Sequence, residues 1–275
     1  MKRRRRRDWA GPAAAAFLGL VVTGVLFGNL LMGLDPYDAD LRDRFLPPLS
    51  PGHVLGTDGQ GRDLLARMLD GGRVSLLVGV ASVVGAGVVG TLLGVIAGYF
   101  GGWVDQAISA VIDAQMSFPF LVLVLTINAV LGPSVTNIIV TLVVASWVYY
   151  ARMARGETLR IRELEFVGAA TAAGASSGRV LLRHVLPNAL PPLIVLASLE
   201  MARMILAEAA VSFLGFGIQP PTPAWGSMIA EGRNYLLTAW WMSTIPGAML
   251  LLTALSINVV GDWLGDAIDP KRRNR

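Results

Sequence analysis

Six stretches of apolar residues, each long enough to cross a lipid bilayer, constrain this chain more than anything else in it. They fall at roughly 10–33, 74–99, 105–131, 135–154, 189–215 and 240–264. A span needs about 20 such residues. The composition agrees: 54% of the 275 residues are hydrophobic, 15% are charged, and the mean hydropathy is +0.58. Soluble domains carry about 25% charged residues. The sequence therefore predicts an all-α, polytopic membrane protein with six transmembrane helices. Membrane lipid is its first partner.

The spans differ in kind. The first follows a basic run at 2–7 and exceeds the roughly 7–15 apolar residues of a signal peptide, so an uncleaved anchor is expected. The second carries Gly79, Gly85, Gly87, Gly90, Gly94 and Gly98, which let a neighbouring helix approach closely. Pro119 should bend the third, where neighbours satisfy the freed carbonyl.

Of 23 basic residues, six lie at 2–7 and four are Lys271, Arg272, Arg273 and Arg275. Arg152, Arg155, Arg160, Arg162, Arg179 and Arg183 crowd a central polar stretch. Lys and Arg mark the cytoplasmic side, so both termini and residues 155–188 are expected inside. Residues 35–73 and 216–239 are then outside. The expected organisation is 1–70 (basic tail, first span, outer loop), 71–268 (a core of five spans with the central loop) and 269–275 (basic tail). A pI of 9.8 raises nucleic acid as a partner. The basic clusters flank apolar runs instead of lining one face, so no nucleic-acid contact is expected.

Several chemistries are excluded. The chain has no cysteine, hence no disulfide, iron–sulfur cluster or thiol nucleophile. Lys2 and Lys271 are its only lysines, so no Gly-Lys-Ser/Thr phosphate loop can form. His53 and His184 are too few for most zinc sites. No nucleophile–base set emerges, and no catalytic residue, bound cofactor or metal is expected.

Most functional information lies between 155 and 187. Within 163–174, Leu164, Val167, Ala170, Thr171 and Gly174 recur three to four apart, giving a helix with one small, mildly apolar face. A break over 174–178 follows, then a second amphipathic piece over 179–186, ending at Pro187. Such a face suits close docking into a partner's groove. By periodicity alone it suits a loop packed on its own bundle equally well.

The spacing of Ala169-Ala170, Gly174 and Leu186-Pro187 resembles the EAA loop of ABC-importer permeases. Glu165-Phe166-Val167, Gly174-Ala175-Ser176 and Arg183-His184-Val185-Leu186-Pro187-Asn188 resemble the dipeptide/oligopeptide/nickel permease family, second-permease (C-type) branch. So do Leu55-Gly56-Thr57-Asp58 with Gly61-Arg62-Asp63, Gly98-Tyr99-Phe100-Gly101-Gly102, Glu208 with Ser212-Phe213-Leu214-Gly215, Gln219-Pro220-Pro221 with Trp225-Gly226, and Gly261-Asp262 with Asp269-Pro270. The likeness runs from about 10 to 271.

The resemblance implies a type I ABC importer permease fold, in which the central loop forms a cytoplasmic coupling helix seated in a separate ATPase subunit. It puts Ala169, Ala170 and Gly174 at that contact, and Glu165, Gly168, Ala175 and Arg179 beside them are expected to join it. Two positions depart from the general motif: Gly168 replaces its glutamate, and His184 replaces a hydrophobic residue before Leu-Pro. The implied partners are a homologous permease chain, two cytoplasmic ATPases that hold ATP and Mg, and an extracytoplasmic substrate-binding protein. The implied location is a prokaryotic plasma membrane. The cargo is expected to be di- or oligopeptides, with nickel or an oligosaccharide as alternatives.

The fifth span contains Glu200, Arg203 and Glu208. Charges within a span face the bundle interior or a water-filled path. Glu200 and Arg203, three apart, can pair on one face; Glu208 lies elsewhere around the helix and needs another partner. A structural ion pair and a pathway lining are both open, with Asp113, Gln115 and Asn258 as weaker lining candidates. Trp147, Tyr149, Tyr150, Trp240 and Trp241 read as interfacial anchors. In the outer loop, Asp58 is a turn former, and Asp58, Arg62 and Asp63 suggest a fixed outer-face structure that touches the binding protein. A secondary transporter driven by an ion gradient is the main rival, though the repeated halves usual in that class are not visible.

Overall fold

A computed structural model describes residues 9–268. The basic runs at 2–7 and 271–275 and the Asp269-Pro270 pair lie outside the described residues. Everything described is helix or loop, apart from two isolated bridges, Ser50 with His53 and Thr57 with Asp63.

Helix α1, Ala10–Met32, ends where Gly33 turns left-handed at φ 64°. A compact loop over 34–63 follows. Helix α2 then runs Leu64–Phe100, about ten residues earlier than the apolar pattern marks. Asp63 caps it, accepting a hydrogen bond from Ala66 N at 2.8 Å. A good cap and a run of helix formers win over the polarity of Arg67, Asp70 and Arg73. At 37 residues α2 is about 55 Å long.

Gly101 and Gly102, both at positive φ, turn the chain into α3, Gly102–Met116, which is followed by α4, Phe120–Leu131. The two are inclined by 90°. The expected bend at Pro119 is thus a complete break. Proline has no N–H to donate, and it drives the residue before it out of the helical region.

Helix α5, Val135–Arg162, starts on a Ser134 cap and continues two turns beyond the apolar span. Its polar end is tied down: Arg155 donates to Asp105 of α3 at 2.7 Å, and Arg162 donates to the Gly98 carbonyl at 2.9 Å. Short helices α6, Glu165–Ala172, and α7, Ser177–Val180, flank Gly174. A π-turn over Leu181–Val185 leads directly into α8, Leu186–Phe213. Pro187 therefore does not end the segment. It lies just past the π-turn, inside a helix continuous from Ser177 to Phe213.

Beyond Gly215, helix α9, Trp225–Gly232, folds back into the bundle end, and α10, Trp241–Ile268, completes the fold. The stretch expected as a plain outer loop is thus partly helical and deeply packed: the Trp225 ring is buried and donates to the Met68 carbonyl at 2.9 Å. Among the described residues, five helices are long and apolar enough to cross a membrane, or six if the broken α3–α4 pair is one span.

The α2–α5 seam holds the bundle. Gly90, Gly94 and Gly98, four apart, lie against the backbone of Trp147, Ala151 and Arg155, also four apart. Only a helix face without β-carbons allows so close an approach.

Candidate functional site

Helix α6 stands at one end of the bundle, held by a single anchor. Val167 is buried among Ile161, Val180 and Val185. The rest of the expected apolar face is not buried: Leu164, Thr171 and Gly174 are exposed and Ala170 is half-buried. What α6 presents outward is Gly168, Ala169, Ala172 and Ala173, all exposed, with Glu165 and Arg179 at the margins and Ala175 half-buried. Gly174 has φ 82°, a left-handed turn that glycine adopts without strain. A β-carbon at Gly168 or Gly174 would meet nothing within 4 Å. Their smallness therefore serves no packing inside this chain. Phe166 and His184, ring centroids 6.1 Å apart, flank this surface.

The second site lies near the middle of α8. Glu200 is buried, and both its oxygens accept from Arg203 Nη1, at 3.1 and 3.2 Å. Arg203 Nη2 donates to the Tyr149 hydroxyl at 2.8 Å. The guanidinium carbon lies 4.1 Å from the ring centroids of both Phe120 and Tyr149. Phe120 opens α4 just after the break, so the break delivers a ring to the arginine. Tyr149 is therefore an arginine partner and not an interfacial anchor. Trp147 likewise turns inward, its Nε1 donating to Gln115 Oε1 at 2.9 Å. Asp113 pairs with Arg152 at an exposed position.

Glu208 is fully buried and belongs to a different group. Its carboxylate accepts from Ser75 of α2 at 2.8 Å and from Ser212 at 2.7 Å. The Ser212 hydroxyl oxygen accepts from Ile218 N at 3.1 Å, and that of Ser75 from Trp225 N at 3.4 Å. Glu208 thus ties the returning segment with α9 to α2 and α8.

The third site joins the 34–63 loop to α9. Asp58 accepts from Gln60 N at 2.7 Å, from Arg62 N at 3.1 Å and from Arg62 Nε at 2.7 Å, and also pairs with Arg67 Nη1. Arg67, 1% exposed, forks onto Glu231 of α9 at 2.8 and 3.1 Å. Burial pushes the Asp58 carboxyl up. The Arg67 guanidinium, the two N–H groups and Arg62 outweigh that and hold it below its ordinary value. Asp63 caps α2 and accepts at 2.8 Å from the His53 ring. The structure brings Asp58 and Arg62 together and gives Asp63 a separate task. Arg67 and Glu231 escaped sequence reasoning: they stand 164 positions apart, and no local pattern links them. Among the described residues, no three metal-ligating side chains gather.

The family model described as binding-protein-dependent transport system inner membrane component matches residues 90–274. The probable D,D-dipeptide transport system permease protein DdpC of Escherichia coli K12 is 42% identical over 258 residues, covering 94% of this chain and 86% of that protein. The dipeptide transport system permease protein DppC of Alkalihalophilus pseudofirmus is 39% identical, with coverages of 94% and 86%. The glutathione transport system permease protein GsiD of Pectobacterium atrosepticum is 36% identical, with coverages of 99% and 90%. Among solved structures, an inward-facing form of the MetNI methionine ABC transporter superimposes with a TM-score of 0.59 at 20% identity, over 74% of this chain and 96% of that one. That likeness speaks to the fold alone.

Proposed function

This chain belongs to the family of binding-protein-dependent transport system inner membrane components, and from that membership we propose that it carries di- and oligopeptides as one half of a paired permease. An ion-gradient-driven carrier, the rival reading, falls away with the membership. The other half is a homologous permease chain. Two cytoplasmic ATPases hold the ATP and Mg, so this chain binds no cofactor and performs no covalent chemistry. An extracytoplasmic binding protein delivers the cargo to the end formed by the 34–63 loop and α9. Both termini and α6 then face the cytoplasm of a prokaryotic cell.

The observation that supports this most is α6. Its outward surface is built from Gly168, Ala169, Ala172 and Ala173, with open space around Gly168 and Gly174. Such a surface suits a helix seated backbone-close in a partner's groove. The coupling residues are then Glu165, Gly168, Ala169, Ala170, Gly174, Ala175 and Arg179. Movement of the ATPases passes through α7 and the π-turn into α8, which is continuous with them, and carries Glu200 and Arg203 along. That is a rigid-body switch between two states.

The test is reconstitution in liposomes of this chain with its partner permease, ATPases and binding protein. ATP-dependent accumulation of a labelled dipeptide is expected. Peptide accumulation without the ATPases, or none with the full complex, overturns the reading.

A further inference from the structure

The geometry points to Arg203 as a carboxylate-binding site in the transport path, one that grips the C-terminal carboxylate of the peptide in transit. The inference rests on the peptide reading above.

Arg203 lies inside the apolar helix that runs continuously over Ser177–Phe213, about 15 Å along the axis from its end at Phe213. Its side chain is nevertheless 31% exposed. A charge at that depth cannot face hydrocarbon and must face the bundle interior or a water-filled cavity. Leu199 and Leu206, one turn to either side on the same face of α8, are also exposed. Arg203 is thus the polar point on an otherwise apolar open stripe.

The orientation of the guanidinium defines the ligand. Phe120 and Tyr149 press their rings on it, so it is held by stacking as well as by charge. Glu200 occupies only Nη1. Nη2 has given one of its two N–H groups to Tyr149, and Nε has no acceptor among the described residues. The Nε–Nη2 edge is the one that takes a carboxylate two-pronged, as Arg155 takes Asp105 in this same chain. Arg203 therefore keeps Nε and one Nη2 N–H without an acceptor among the described residues, on a side chain that is still 31% exposed. Glu200 moderates it, because the arriving carboxylate meets a neutral pair and not a bare cation. A site that must also release its occupant needs such weakness.

The experiment measures ATP-driven uptake, by the assembled transporter in liposomes, of one dipeptide and of its C-terminal amide. Wild type is compared with Arg203→Gln and with Glu200→Gln/Arg203→Gln, the double variant sparing the protein an unpaired buried carboxylate. The same binding protein delivers both peptides throughout, so its own preference cancels when acid-to-amide ratios are compared between variants. The ratio is expected to fall by about tenfold in both variants, the order set by losing one charge-assisted pair. An unchanged ratio in the double variant, with peptide uptake intact, overturns the carboxylate site and leaves the peptide reading standing. Absence of peptide uptake by the wild-type assembly overturns the peptide reading itself.

Discussion

Gly94 of α2 lies so close to Ala151 of α5 that a β-carbon on the glycine would overlap the alanine's carbonyl oxygen. The obstacle is backbone and cannot rotate away. Gly94→Ala is therefore expected to cost about 1–3 kcal/mol of stability and to lower the thermal unfolding temperature in detergent. Gly87→Ala is the control: its β-carbon meets the Tyr150 ring at an ordinary 3.5 Å, and it should be tolerated. Equal behaviour of the two variants would remove the seam from the account.

Gly168 offers the reverse case. Nothing within this chain fills the space around it, so Gly168→Leu should insert and fold like wild type. If α6 docks backbone-close on an ATPase, the added side chain costs that contact about 1–3 kcal/mol, a roughly 5- to 150-fold loss in affinity. Co-purification with the ATPases and ATP hydrolysis stimulated by loaded binding protein should fall together. A bulky residue at Gly174 should uncouple likewise, with added backbone strain from φ 82°.

Asp58 holds two buried arginines, and Asp58→Asn leaves their charges short of a partner, at an expected cost of about 3–5 kcal/mol. The pH dependence follows from its lowered carboxyl. A group bound more weakly by protons when folded stabilises the protein above its ordinary value of 3.8, and that contribution is lost as the pH falls through the lower folded value. The stability gap between wild type and Asp58→Asn should therefore be full at neutral pH and close below about pH 4. A gap that persists in acid would show that the carboxylate charge is not what holds this end.

Glu208 accepts two serine hydroxyls in a fully buried place. Glu208→Gln keeps the shape and an acceptor and should cost under about 1.5 kcal/mol. Glu208→Ala strands both hydroxyls, opens a void and should cost about 2–5 kcal/mol. Limited proteolysis within 214–224 reports it, since Ser75 and Ser212 hold Trp225 and Ile218 there. Equal resistance of the two variants would exclude Glu208 as the tie.

Periodicity along the chain located the spans, the small helix before Gly174 and the glycine-rich face of α2, because each is a local repeat of residue type. It did not locate the ends of α2 and α5. There, a local cap, Asp63 on the first turn of α2, and an ion pair formed with a distant residue, Arg155 with Asp105, carry helix into polar sequence. Nor did it find the packed α9, whose Trp225 is buried against Met68, 157 positions away.

The sequence by itself determined that the chain lives in a membrane, that it carries five or six helices apolar enough to cross it, and that no nucleotide site of the Gly-Lys-Ser/Thr kind can form in it. These follow from which residues are present and how they alternate. Only the tertiary structure decided what the few buried charges do. It placed Arg203 against Phe120 and Tyr149, gave Glu208 to two serines, and joined Asp58 to Glu231 through Arg67. The physical reason is that a charge in a low-dielectric interior takes its character from whatever lies within a few ångströms, and those neighbours come from other helices.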